Sequence, residues 1–337
     1  MQTLHLTEHD AARAGDILRH GGLVAFPTET VYGLGANAFD ADAVRRIFEA
    51  KGRPCDNPLI AHVCDLDTLP TLWREIPDTA RTLAAAFWPG PLTMILPRTA
   101  AVPDALTAGL DTVAVRFPSH PVAQAVIRAA GVPIAAPSAN LSGHPSPTTY
   151  EHVLHDLGGR VDAIVEGGMS SVGLESTVVA VEEHRVTVLR PGGISPEMLA
   201  VVLDDAEVII DPGVTCPVES APRSPGMKYR HYAPLAPMTA FTGDPDRTAA
   251  AIREKIGMRT DCAALLFDEY DAPCSVVHYG GRADSHAQAH RLFDALRKLD
   301  DFAPTEIFAQ CPDETGVGLA VANRIKRAAG FHVVNVP

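Results

Sequence analysis

Apolar and polar positions along the chain switch repeatedly between a helical and a strand-like period. Over residues 9–20 the apolar positions recur at helical spacing and stop at Gly21-Gly22, a glycine signal for a helix C-terminus. The apolar run Leu23–Phe26 breaks at Pro27 and predicts a buried strand feeding a loop. Residues 41–51 return to the helical period, with Ala41, Val44, Ile47 and Phe48 on one face. Further strands are predicted at Leu59–Val63, Leu92–Leu96, Val113–Phe117, Ile134–Ala136, Thr177–Val181 and Val186–Leu189. Helical stretches near 77–87, 121–130, 149–157 and 196–203 separate several of them. This alternation predicts an α/β fold with a twisted, partly parallel sheet.

Around 206–235 the periodicity fails. The stretch DPGVTCPVESAPRSPGMKYRHYAP holds five prolines and two glycines and is rich in Arg, Lys and Tyr towards its end. A loop this long inside a compact unit predicts either a linker or a functional lid. Alternation then resumes, with strands at Met238–Phe241, Cys262–Phe267, Ser275–His278, Glu306–Ala309 and His332–Val336. Helices are expected near 245–256, 284–298 and 316–329. The layout is therefore a first domain over 1–205, a linker or lid over 206–235, and a smaller α/β domain over 236–337.

Composition narrows the function classes. The 337 residues are 46% hydrophobic and 20% charged, a globular balance with enough chain for two cores. A formal charge of −13 argues against a protein that coats nucleic acid, which needs a basic face. Cys55, Cys64, Cys216, Cys262, Cys274 and Cys311 form neither a CxxC pair nor a zinc-ligand spacing, so they are expected to be reduced and structural. With no signal-peptide pattern and no run of apolar residues long enough to span a bilayer, a cytoplasmic protein is expected.

Five stretches carry candidate chemistry. PTETVYGLG (27–35) places Thr30 in a polar loop with a Gly-x-Gly turn; it fits close approach to a ligand, and it fits an ordinary polar connection as well. KGRPCDNP (51–58) puts Lys51, Arg53 and Asn57 within seven residues. A helix end explains one cation, whereas three donors of different geometry suit an anion, Arg binding oxygens in pairs and Lys as a point charge. His62 follows in the next strand, on the face of Ile60. TVAVRFPSHP (112–121) ends a strand at Arg116, and ligands of open α/β sheets sit beyond such edges. PIAAPSANLSGHPSPT (133–148) supplies Ser138, Asn140, Ser142 and Ser146, four small polar groups in nine residues, where a helix cap accounts for one. GLESTVV (173–179) and VLRPGGIS (188–195) add Ser176 and Arg190, a pair that plain hairpin chemistry also explains. No Ser-His-Asp order, HExxH or clustered-Asp motif assembles from these pieces. The groups bind rather than attack, which suits phosphoryl or nucleotidyl transfer with a nucleophile supplied by substrate.

PTETVYGLG, KGRP-x-x-NPL-x-x-H, TVAVR-x-P-x-HP, P-x-AAPSAN-x-SG-x-x-SPT, ESTVV and LRPG-x-IS, in this order, resemble the YrdC family of threonylcarbamoyl-AMP synthases. SPGMKYRHYAP and the second α/β unit resemble its long, two-domain (Sua5-type) branch. The resemblance implies a twisted mixed sheet around a concave, basic cleft, with a smaller Rossmann-like domain at the C-terminus. It implies a nucleotidyltransferase that converts L-threonine, bicarbonate or CO2, and ATP with Mg2+ into threonylcarbamoyl-AMP, pyrophosphate and water. That adenylate passes to the machinery making t6A in tRNA; tRNA contact would be indirect. Carried over by position, Thr30, His62, Arg116, the Ala136 backbone and Ser176 would hold threonine. Lys51, Arg53, Asn57, Thr112, Ser138, Ser146, Arg190 and Tyr232 would hold ATP, with Lys51 and Arg53 stabilising developing phosphate charge; Asn140 is added on local chemistry. The stretch 223–234, with Arg223, Lys228, Arg230 and His231, is read as a lid over a hydrolysable product. Two other readings are a carbamoyl-phosphate-dependent carbamoyltransferase, whose zinc-finger and acylphosphatase motifs are missing here, and an RNA-binding module, which the net charge disfavours.

Overall fold

The computed structural model describes residues 2–214 and 232–337. Its first sheet is built from β1 (Leu4–Leu6), β2 (Val24–Phe26), β3 (Gly33–Asn37), β4 (Ile60–His62), β5 (Leu92–Pro97), β6 (Thr112–Arg116), β7 (Ile134–Ala135), β8 (Ala163–Val165), β9 (Thr177–Glu182), β10 (Arg185–Arg190) and β11 (Glu207–Ile210). They lie in the order β1-β8-β2-β3-β7-β4-β6-β5-β9-β10-β11. Parallel pairs such as β4–β6 and β5–β9 mix with antiparallel ones such as β5–β6 and β9–β10, as the alternation implied.

Several elements depart from the sequence expectation. The Gly-x-Gly of PTETVYGLG is strand β3 rather than a turn. Its glycines answer crowding: a Cβ at Gly35 would lie 2.7 Å from a Phe26 ring carbon and 2.9 Å from Ile134 Cγ2. β11 falls in the stretch read as aperiodic and extends the first sheet as an edge strand beside β10. β1 and β8 are three-residue strands, too short to show a period.

Local chemistry sets the ends of the site-bearing helices. The Asp40 side chain accepts from the Asp42 and Ala43 amides and starts Ala41–Lys51, and Gly52, at φ 61°, ends it. Pro121 opens Pro121–Ala130 behind a His120 cap, and Gly131, at φ 71°, closes it.

The two faces of the central strands are chemically distinct. Ala61, Val113, Val115, Met94, Leu96 and Val179 point into the main core, which the helices cover. Ile60, Ala114, Ile95 and Val178 point the other way and form a small apolar floor. The period of two along each strand therefore puts His62 and Arg116 on the floor side, at its rim.

A second sheet holds β12 (Met238–Gly243), β13 (Ala263–Leu266), β14 (Ser275–His278), β15 (Ile307–Gln310) and β16 (Val333–Val336), all parallel, in the order β14-β13-β15-β12-β16. This differs from the 3-2-1-4-5 order of a dinucleotide-binding sheet while keeping its all-parallel, two-sided plan. Helices Ser285–Asp300 and Gly318–Ala328 turn towards the first sheet. Val31 and Leu174 of the first part join a cluster with Tyr232 of the connecting stretch and Phe293, Leu296 and Val321 of the second part. Arg297 grips buried Asp156 through both oxygens, at 3.0 and 2.8 Å, and also donates to Pro145 O. Burial would raise the Asp156 carboxyl, but the Arg297 hydrogen bond and charge hold it below the usual range. Among the described residues no helix is long and apolar enough to cross a membrane.

Candidate functional site

Strand register brings the candidate cations onto one line. His62 pairs with Arg116, Arg116 with Thr93, Thr93 with Val178, and Val178 with Arg190. In-register neighbours point to the same face, so His62 and Arg116 stand one strand apart, and Arg190 follows three strands on, about 14 Å away. The loop after β7 and the end of helix Ala41–Lys51 close over this row. The resulting cavity is lined by Thr30, His62, Arg116, Ala136 and Ser176, and equally by Lys51, Arg53, Ser138, Asn140, Arg190 and Tyr232. Arg53, Arg116 and Ser138, from three separate segments, thus share one pocket.

At one end Arg116 is nearly sealed from solvent. It donates to Thr30 Oγ1 at 2.7 Å, lies 2.8 Å from a Glu29 carboxylate oxygen, and reaches Gly90 O at 3.4 Å. Thr30 is fixed in turn by Thr28, whose hydroxyl lies 2.9 Å away and donates to Val31 O. Burial pushes the Glu29 carboxyl up, yet the Arg116 charge and hydrogen bond outweigh it and leave it below the ordinary value. His62 is almost fully buried beside Arg116; desolvation, then the Arg116 charge, depress it to about 3, so the imidazole is neutral. Ala136 spends its N–H on Ile60 O, so its carbonyl is the backbone group it can offer a ligand.

The His62 environment makes a pH prediction. The unfolded chain binds a proton near pH 6.5 that the fold refuses until about pH 3, so this histidine contributes stability above pH 6.5 that is lost as pH falls. Between those limits stability should fall by roughly 1.4 kcal/mol per pH unit from this group alone. Denaturant unfolding of His62→Gln between pH 7 and 4 should show a shallower acid slope than the parent chain; equal slopes would refute the assignment.

Lys51 lines the cavity and also braces its wall. Its ammonium is buried and donates to Ser138 O, Asn140 O and Asn140 Oδ1, so all three protons have partners in the 138–140 loop. Desolvation, then the Arg53 charge, pull it well below the usual lysine range. Lys51 therefore builds the loop that presents Ser138, whose hydroxyl donates to Asn140 Oδ1. Arg53 reaches the carbonyls of Asn57 and Pro58 at 3.5 and 3.4 Å.

At the far end Arg190 donates to Ser176 O and Oγ at 3.0–3.1 Å, and Ser176 Oγ lies 2.7 Å from Thr93 Oγ1. Burial lowers Arg190 to about 10, which keeps it charged at neutral pH. Ser146 is behind the wall, donating to Glu175, a lining carboxylate the sequence reading passed over although it precedes Ser176. Tyr232, at φ 67°, packs on Phe293 with centroids 5.2 Å apart and the rings tilted by 33°. The neighbouring Ala233 N–H donates to Gly143 O.

Besides Ser146, two of the expected site residues stand off the lining. Thr112 starts β6, four residues and about 13 Å along the strand from Arg116. Asn57 is 1% exposed, and neither its amide nitrogen nor its oxygen has a hydrogen-bond partner among the described residues. Arg223, Lys228, Arg230 and His231, with most of the stretch read as a lid, lie outside the described residues. Among the described residues no three His, Cys, Asp or Glu side chains cluster to hold a metal ion.

Two family models tile the chain: residues 16–192 match Sua5_yciO_yrdC, described as telomere recombination, and residues 194–330 match the threonylcarbamoyl-AMP synthase C-terminal domain. The chain belongs to the Sua5/YrdC family. Its two-domain, Sua5-type organisation extends over full-length relatives. The Bacillus subtilis protein named threonylcarbamoyl-AMP synthase is 47% identical, covering 98% of this chain and 96% of its own. The Pyrococcus abyssi protein of the same name is 45% identical, covering 96% and 95%. A crystal structure of P. abyssi Sua5 complexed with L-threonine superposes with a TM-score of 0.93 at 43% identity over the whole of both chains.

Proposed function

We propose that this Sua5-type enzyme condenses L-threonine, bicarbonate and ATP into threonylcarbamoyl-AMP, pyrophosphate and water, for the t6A modification of tRNA. The observation that carries it is the single cleft in which Arg116 and Thr30 face Arg53, Arg190 and Ser138 across an apolar floor. The names of the full-length relatives support the same reaction.

Arg116, held between Glu29 and Thr30, would take the threonine carboxylate, and neutral His62 could accept from the amine. The neutral amine nitrogen bonds to the carbon of bicarbonate, or of CO2 derived from it, and its lost proton leaves with bicarbonate's hydroxyl as water, giving a carbamate. A carbamate oxygen then attacks the α-phosphorus of ATP, and the bond to the bridging oxygen breaks to release pyrophosphate. Arg53 and Arg190 would meet the charge that builds on the phosphates. The hydroxyl-rich wall around Ser138 and Ser142, with few carboxylates, fits Mg2+ carried in on the nucleotide and still keeping waters. When bound, Mg2+ would neutralise phosphate oxygens and ease departure of pyrophosphate.

Pyrophosphate release by the purified chain should require ATP, threonine and bicarbonate together. Release that ignores threonine, or that carbamoyl phosphate supports instead, would overturn the proposal.

A further inference from the structure

Glu175 is the anomaly of the proposed nucleotide wall: a buried carboxylate in a cavity meant for phosphates. The group that answers it comes from the other domain. Arg324, on helix Gly318–Ala328, is fully buried and donates through Nε to Glu175 Oε2 at 2.8 Å. Its remaining donors reach Asn323 Oδ1 at 2.9 Å and Pro191 O at 3.0 Å. Its guanidinium also lies 5.4 Å from the centre of the Tyr232 ring. One side chain thus ties together Glu175, next to Ser176, and Pro191, next to Arg190. While Arg324 and Ser146 engage Glu175, Arg190 donates through Nε and one terminal nitrogen to Ser176.

We infer that Arg324 is a positioning residue for nucleotide binding: the second domain supplies the charge that keeps Glu175 from repelling phosphate or capturing Arg190. The inference rests on the reading of this cleft as an ATP site, and it gives the C-terminal domain a part in that site. Without Arg324, an unpaired carboxylate would face the nucleotide across a low-dielectric wall, and the nearest cation able to neutralise it is Arg190.

Arg324→Met keeps the length and removes the charge. It should raise KM for ATP by about thirtyfold, the scale of a like-charge juxtaposition, and change KM for threonine by less than about threefold. Adding Glu175→Gln to Arg324→Met should recover most of the loss in ATP affinity, because the offending charge goes too. Arg324→Lys should fall between parent and Met. A purely structural tie would weaken both substrates together and gain nothing from Glu175→Gln. An unchanged KM for ATP, or a double variant no better than Arg324→Met, overturns the inference. If Arg324→Met does not fold, Glu175→Gln/Arg324→Met, which buries no unpaired charge, decides by calorimetric ATP binding: affinity near the parent's supports the inference, and a tenfold or greater loss overturns it. That binding readout does not require turnover. A parent enzyme that binds ATP yet releases no pyrophosphate would therefore sink the proposed reaction and leave this inference standing.

Discussion

Arg116→Ala is expected to abolish threonine-dependent turnover and to destabilise the chain at pH 7 by about 3–5 kcal/mol, the cost of leaving one partner of a buried ion pair unmatched. Both effects follow from one geometry. The guanidinium contacts Thr30 at 2.7 Å and Glu29 at 2.8 Å while lining the cavity, so it holds the site together and presents the cation expected to meet the substrate carboxylate. Loss of that grip should reduce kcat/KM for threonine by about 10³-fold or more, since position as well as affinity is lost. The stability effect has a pH signature. In the parent, Glu29 titrates below its ordinary value, so its share of stability is present above the unfolded pKa and is lost as pH falls through the folded one. In Arg116→Ala the guanidinium's charge and hydrogen bond are gone, leaving the backbone amides of Ser119 and Glu29 to oppose burial; the Glu29 carboxyl rises, and the deficit should shrink as pH falls from 7 towards 4.5. Adding Glu29→Gln should restore much of the stability and none of the activity. Turnover of Arg116→Ala within tenfold of the parent would remove Arg116 from the proposed threonine grip.

The part of this site legible in the sequence is the part made by contiguous chemistry. Ser138 and Asn140 in a proline-flanked run, Lys51 and Arg53 at a helix end, and Arg116 at a strand end are unusual within a few residues of chain, and they line one cavity. What one residue type contributes at a distance was harder to read. Lys51 looks like a free cation in KGRP, yet its protons are spent on the 138–140 carbonyls, because a buried ammonium must find three acceptors wherever the fold offers them. Gly33 and Gly35 suggested a turn because glycine serves both loose and crowded backbone, and only the packing of Phe26 and Ile134 decides which. β11 is a four-residue edge strand whose pairing with β10 depends on no pattern of its own. Arg324 lay furthest from view: it is one more arginine on a basic helix end, and its role exists only once Glu175, 149 residues earlier, is laid against it. The row His62, Arg116, Arg190 is likewise a property of register across several strands, set by hydrogen bonding rather than by any local motif.

That dependence on backbone fit makes Gly192→Ala the other large expected effect. Gly192 sits in the LRPGG turn after β10, where a Cβ would lie 2.3 Å from Thr177 N, 2.5 Å from Glu175 O and 2.6 Å from Ser176 C. All three are backbone atoms of the wall carrying Glu175 and Ser176, and that wall has little room to yield. Thr177 N donates to Pro91 O at 3.0 Å, and the Thr177 hydroxyl donates to Ile194 O and accepts from Ile194 N. The methyl can be housed only by prising the 190–194 turn from the 175–177 strand entry, which would part Arg190 from Ser176. Overpacking of this kind costs about 1–3 kcal/mol or more. A displacement near 1 Å at a reacting site costs about 10²-fold in rate. Because Ser176 stands on the proposed threonine side and Arg190 on the nucleotide side, KM should rise for both substrates, unlike the ATP-selective loss expected of Arg324→Met. The adjacent Gly193→Ala is the internal comparison. The nearest atoms to its Cβ would be side-chain carbons, Val172 Cγ1 at 3.2 Å and Pro91 Cγ at 3.5 Å, so its loss in rate should be at least tenfold smaller, no backbone atom lying closer than these. Steady-state kinetics and thermal unfolding of the pair separate these cases, and equal behaviour would mean that the turn can move off the wall without disturbing the substrates.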